Sequence, residues 1–155
     1  MRITYEFIVA DPADSQLLAQ APIDELPFPY FRCFGLDPVN IASLYFLAND
    51  KPYCESYLYQ FSVLHHDDKT CDSIVELPES FCDSLADLNS ERISDIIDNW
   101  EQTAGLSLSY WHKDFKRNVV LNLVELSKQC LDHSKSLILK VCVDQDAKSN
   151  RATLH

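Results

Sequence analysis

The chain has 155 residues, 46% of them apolar, and a formal net charge of −11. That length suits one domain with a core of its own, without metal or disulfide staples. The acidic excess repels phosphate backbones and weighs against a nucleic-acid binder, and only 2 glycines weigh against a phosphate-cradling loop.

No apolar run approaches the ~18 residues that a membrane helix needs. The opening MRITYEFIVADPADS carries no apolar signal core, so the chain is expected in the cytoplasm, with its 6 cysteines reduced. Cys130 and Cys142 fall on apolar patterns, where a thiol behaves as a small hydrophobe.

Residues 2–9 alternate Ile3, Tyr5, Phe7 and Val9 against Arg2, Thr4 and Glu6, which predicts a strand with one buried face. Asp11–Pro12 ends it, and a short helix is expected over 14–20. Pro22, Pro27 and Pro29 then make a stiff connection. Asp37 is a suitable N-cap and Pro38 a suitable first helical residue for an amphipathic helix over 38–48. The preceding Phe31, Cys33, Phe34 and Leu36 are too apolar for an exposed loop and are expected to pack as an entry segment or to shape a pocket.

Residues 56–66 read as a second strand, with Tyr57, Tyr59, Phe61 and Val63 on one side. A loop, HHDDKTCDS, follows. Leu77–Pro78 opens a helix over 79–88, and Asn89 or Ser90 caps the next over 91–103, with Ile93, Ile96, Ile97 and Trp100 inward and Gly105 as its stop. The segment 106–112 is ambiguous. From Lys113 the apolar positions Phe115, Val119, Leu123, Leu126 and Cys130 recur at helical spacing, widened by Val120, Val124 and Leu131. After Ser134–Lys135–Ser136 the run LILKVCV reads as a buried strand. Residues 145–155 are polar and expected to fray. The sum is a single α+β domain over 1–144, with a small sheet of about three strands and about four helices.

His65, His66, Asp67 and Asp68 have metal-ligand chemistry, but adjacent histidines on a strand point to opposite faces. No CxxC occurs, so no zinc module is expected. Neither metal nor cofactor is expected. Cys33 with His112, or Cys71 with His66, could form a nucleophilic pair, and nothing local favours either. The acidic stripe is more informative. Glu91, Asp95, Asp98 and Gln102 share the outer face of the helix over 91–103, and Glu76, Glu79, Asp83 and Asp87 precede them. Carboxylates spaced four apart repel by a few tenths of a kcal/mol per pair, a cost that a basic partner offsets.

The ordered set CFGLDPVNIASLYFL (33–47), VELPESFCDSLADLNSERISDIIDNWEQT (75–103) and NLVELSKQCLDHSKSLILKVCV (122–143) resembles small bacterial immunity proteins of toxin–immunity systems. The set is also similar to a group of bacterial proteins with a DUF1877-like layout. The resemblance rests on Gly35 to Pro38, Leu77–Pro78, Trp100 with Thr103, and the closing helix–strand unit. It implies a non-enzymatic cytoplasmic protein that neutralises a cognate toxin with a basic surface, and it supplies no catalytic residue. The residues expected at that contact are Glu91, Asp95, Asp98 and Glu101, with Asp67 and Asp68 as a second acidic loop. The alternatives are a small enzyme walled by Phe31, Phe34, Tyr45 and Trp111, with His112 as acid–base, or a cytoplasmic adaptor.

Overall fold

The computed structural model describes residues 2–104 and 112–144, the backbone alone over 101–104. Strands are β1 (Arg2–Ala10), β2 (Tyr30–Phe34), β3 (Ser62–His66), β4 (Ser73–Glu76) and β5 (Ser136–Asp144). Helices are α1 (Ser15–Gln20), α2 (Pro38–Ala48), α3 (Glu79–Ala86), α4 (Ser90–Ala104) and α5 (Lys113–His133). The strands form one antiparallel sheet in the order β2-β1-β5-β4-β3. The α+β class is as expected, but five strands replace the expected three. Among the described residues no helix is long and apolar enough to cross a membrane.

The centre of the sheet is β5, held by β1 on one side and β4 on the other. Leu137 and Leu139 face the helical layer, while Ile138 packs on the opposite face beside Ile8. An apolar run without alternation is what a strand covered on both faces requires. α5 lies under the sheet, with Val119, Val120, Leu123, Val124, Leu126 and Cys130 buried and α3 and α4 against it. Its ends match their chemistry. The His112 ring nitrogen accepts from the Asp114 N–H at 3.2 Å, and Ser134 closes the helix at φ 54°.

Trp100 and Arg92 tie α4 to α2. The fully buried Trp100 donates its indole N–H to the Asn40 carbonyl at 3.2 Å. Arg92 donates to the Leu47 carbonyl at 3.0 Å and meets Asp50 at 3.1 Å, so a cation sits at the C-terminal end of α2. At the other end of α2, the Asp37 carboxylate accepts from the Asn40 N–H at 2.8 Å, with Pro38 as first residue.

Four expectations are corrected. β1 was expected to bury one face; Ile8 and Ala10 are buried as well, under Leu18 and Ile23 of the segment after β1. Burying side chains of the size of Leu18 and Ile23 contributes about 1.5–3 kcal/mol each, which holds that second layer down. Phe31, Cys33, Phe34 and Leu36 were expected to pack as an entry segment or to shape a pocket; the first three lie in edge strand β2, with Phe31 and Cys33 towards the helices. Its aromatic residues fall on both faces, which hid the period of two. Residues 56–66 do not make one strand. Glu55–Gln60 is 3-10 helical, because Tyr57 turns inward to stack on Tyr45 at 4.0 Å and to bond Ser80 at 2.9 Å. Finally β4 was not expected at all: the loop read over 65–73 reaches only its first residue, Ser73, and the strand forms where β3 and β5 offer it hydrogen bonds on both sides.

Candidate functional site

The apolar stripe of α4 (Ile93, Ile96, Ile97, Trp100) is buried, so geometry forces Glu91, Asp95 and Asp98 outward. Asp83 and Asp87, at the outer side and end of α3, are exposed too. Among the described residues Asp83, Asp87, Glu91 and Asp95 have no ion-pair partner. Asp98 differs. Lys113, at the start of α5, places its ammonium 2.8 Å from the Asp98 carboxylate. That hydrogen bond and the lysine charge hold its carboxyl below the usual range. Asp98 therefore joins α4 to α5 while its side chain stays half exposed. The side chain of Glu101 lies outside the described residues.

The second acidic loop is the β3–β4 hairpin. The Asp67 carboxylate accepts from the Lys69 N–H at 2.8 Å and from the Thr70 N–H at 3.3 Å, and these bonds lower its pKa. It forms an Asx-type turn, so its first role is to shape the loop. Asp68 is fully exposed beside His66, at 3.4 Å. α4 packs on α2 and α5, whereas the hairpin packs on β5 and α1, so the two acidic groups belong to separate parts of the surface.

Neither the metal-ligand residue types of the hairpin nor the residues of the alternative enzyme reading come together among the described residues. His66 bonds Ser73 at 2.7 Å across the hairpin. Among the described residues no three His, Cys, Asp or Glu side chains come together to hold an ion. Phe31 and Phe34 occupy opposite faces of β2, so they cannot wall one pocket. Trp111 lies outside the described residues. His112 is exposed and occupied as the α5 cap, with Asp114 at 3.7 Å. Among the described residues neither Cys33 nor Cys71 bonds a histidine, and burial pushes the Cys33 thiol up to about 12.

Two concavities were not foreseen. An open groove of about 330 Å³ on the face of the sheet away from the α2–α5 layer is lined by Arg2, Thr4, Glu6, Arg32, Phe34 and Cys142, with Asp144. Its charges are already engaged. Buried Glu6 takes Arg32 at 2.7 Å, Asp24 shares that guanidinium at 3.2 Å, and Arg2 lies 3.9 Å over the Phe34 ring. The second is a cavity of about 310 Å³ between α3 and the end of α5, with Cys82 and Cys130 in its wall. No histidine lines either space. The sequence carried a signal for the groove in the alternation of Arg2, Thr4 and Glu6; it carried none for the cavity, whose cysteines sit on separate helices. Comparisons of the chain with protein-family models, curated proteins and solved structures each find no match.

Proposed function

We propose that this chain is a non-enzymatic binding protein that contacts a basic protein partner directly, and that the partner is the cognate antibacterial toxin of an immunity pair. The observation that carries this reading is the set of exposed carboxylates at Asp83, Asp87, Glu91 and Asp95, uncompensated by cations among the described residues. Negative charge of this density costs stability in the free protein, and it accelerates encounter with a positive surface. Asp68 and the hairpin form a lesser acidic point. The rival enzyme reading is weakened because Phe31 and Phe34 lie on opposite faces of β2 and His112 caps α5.

Co-expression tests the proposal. The gene adjacent to this one is expressed in a bacterial host with and without this chain, and survivors are counted alongside recovery of a complex. Rescue of growth through a direct complex supports the reading. A harmless neighbour, or one that kills regardless, overturns the immunity role. In the complex, changing Asp83, Asp87, Glu91 and Asp95 together to lysine slows association and removes its salt dependence. Unchanged association after that reversal would show that the contact lies elsewhere.

A further inference from the structure

Three buried cysteines meet different surroundings. Cys33 stands alone in the core, and its thiol is made inert by burial. Cys82 of α3 and Cys130 of α5 instead stand side by side in the wall of the cavity that Glu79, Ser134, Lys135 and Ser136 also line. The groups that act on the Cys82 thiol are the Cys130 thiol, the Ser127 hydroxyl and the Leu137 N–H. These groups lower the pKa of Cys82 against the opposing effect of burial, and donating its proton raises that of Cys130. Ser127, three residues before Cys130 on α5, adds a geometric sign. Its hydroxyl is fully buried and has no partner of good hydrogen-bond geometry. Cys82 is the acceptor it acts on, and a thiolate there would satisfy it, whereas a neutral thiol is a weak acceptor.

We propose that Cys82 and Cys130 form a redox-active dithiol that reacts with a small hydroperoxide. The cavity sets the size of the oxidant. Both cysteines are under 5% exposed, and a space of about 310 Å³ admits hydrogen peroxide or a short alkyl hydroperoxide but not the disulfide of another protein. The Cys82 thiolate attacks one peroxide oxygen and the O–O bond breaks. The departing oxygen takes a proton and leaves as water or an alcohol, and Cys82 becomes a sulfenic acid. The Cys130 sulfur then attacks the Cys82 sulfur and displaces its hydroxyl. The proton lost by Cys130 leaves with that hydroxyl as water. Two thiols have together given two electrons to the peroxide, and α3 is covalently joined to α5. A thiol reductant reverses the change.

The test uses the full chain carrying Cys54→Ser and Cys71→Ser, which removes the two exposed thiols. The reduced protein is treated with hydrogen peroxide, its thiols are counted after denaturation, and the disulfide is located by peptide mapping without reductant. The expected result is loss of two thiols, one linkage between the peptides holding Cys82 and Cys130, and full recovery with dithiothreitol. Adding Cys130→Ser stops the reaction at a dimedone-trappable sulfenic acid on Cys82. Adding Cys82→Ala leaves the thiol count unchanged at the same dose. Mapping of the unsubstituted protein must show the same linkage, so the proposal stays exposed to failure even if a variant does not fold. Oxidation confined to Cys33 or Cys142, or thiol loss only at doses that abolish the circular dichroism of the native fold, overturns it.

Discussion

The Lys113 ammonium lies 2.8 Å from the Asp98 carboxylate, bridging the last turns of α4 to the first turn of α5. One carboxylate of the acidic helix therefore serves the fold, while Glu91 and Asp95 on the same helix stay uncommitted. The two kinds should separate in experiment. Asp95→Lys slows association with a basic partner markedly at low salt, whereas Asp98→Asn slows it little. Stopped-flow association rates across a salt series make the comparison. Equal effects at both positions would remove the distinction.

Trp100 is the largest side chain in the core, and its N–H reaches the Asn40 carbonyl of α2. Trp100→Ala leaves a cavity between two helices and is expected to cost on the order of 3–5 kcal/mol. Trp100→Phe keeps much of the apolar volume, and its smaller loss includes the hydrogen bond. Urea unfolding curves for the two variants measure the difference. A cost below about 1 kcal/mol for the alanine variant would mean that α4 is not anchored through this residue.

Lys140 is buried on the face of β5 that α1 covers. Its ammonium donates to the Leu18 carbonyl at 2.6 Å and to the Ala21 carbonyl at 3.4 Å, at the C-terminal end of α1. Lys140→Met keeps the stem and removes those bonds, at a cost of about 1.5–3 kcal/mol for hydrogen bonds to a charged group. The damage is expected to be local first. Hydrogen exchange should quicken over Ser15–Gln20 before it does over α5. Uniform acceleration across the chain would instead mean that the α1 layer and the main core open together.

Burial lifts the Tyr57 hydroxyl from its ordinary 10.0 to about 12 and the Cys142 thiol from 9.0 to about 11. Both folded values are raised, so the folded state holds protons that the unfolded chain gives up first. The stabilisation from keeping these groups neutral is complete below pH 9, and it is lost as pH rises towards 12. The urea midpoint, measured under reductant, is expected to fall steadily across that window. Tyr57→Phe lowers stability at neutral pH through loss of the Ser80 bond, and makes the alkaline fall shallower. An unchanged alkaline slope in that variant would exclude Tyr57 as a source.

Periodicity alone located α2, α4 and α5, because each carries an apolar stripe at helical spacing and a readable start, such as Asp37–Pro38. It also marked β5, since LILKVCV has no polar face to give to water. The outward direction of Glu91 and Asp95 followed from the inward direction of Ile93 and Ile96 on the same helix. These properties are local: a helix face is set by residues three or four apart.

What lay beyond local pattern depended on partners distant in the chain. β4 is four residues long and exists because β3 and β5 pair with it. Glu55–Gln60 left the strand its alternation suggested because Tyr57 found Tyr45 and Ser80 in the helical layer. Asp98 looked identical to Asp95 until Lys113 came beside it. The pairing of Cys82 with Cys130, and the unsatisfied Ser127 next to them, arose only when α3 packed on α5. Side-chain charge, thiol reactivity and strand pairing are settled by neighbours in space, and one-dimensional spacing carries no record of those.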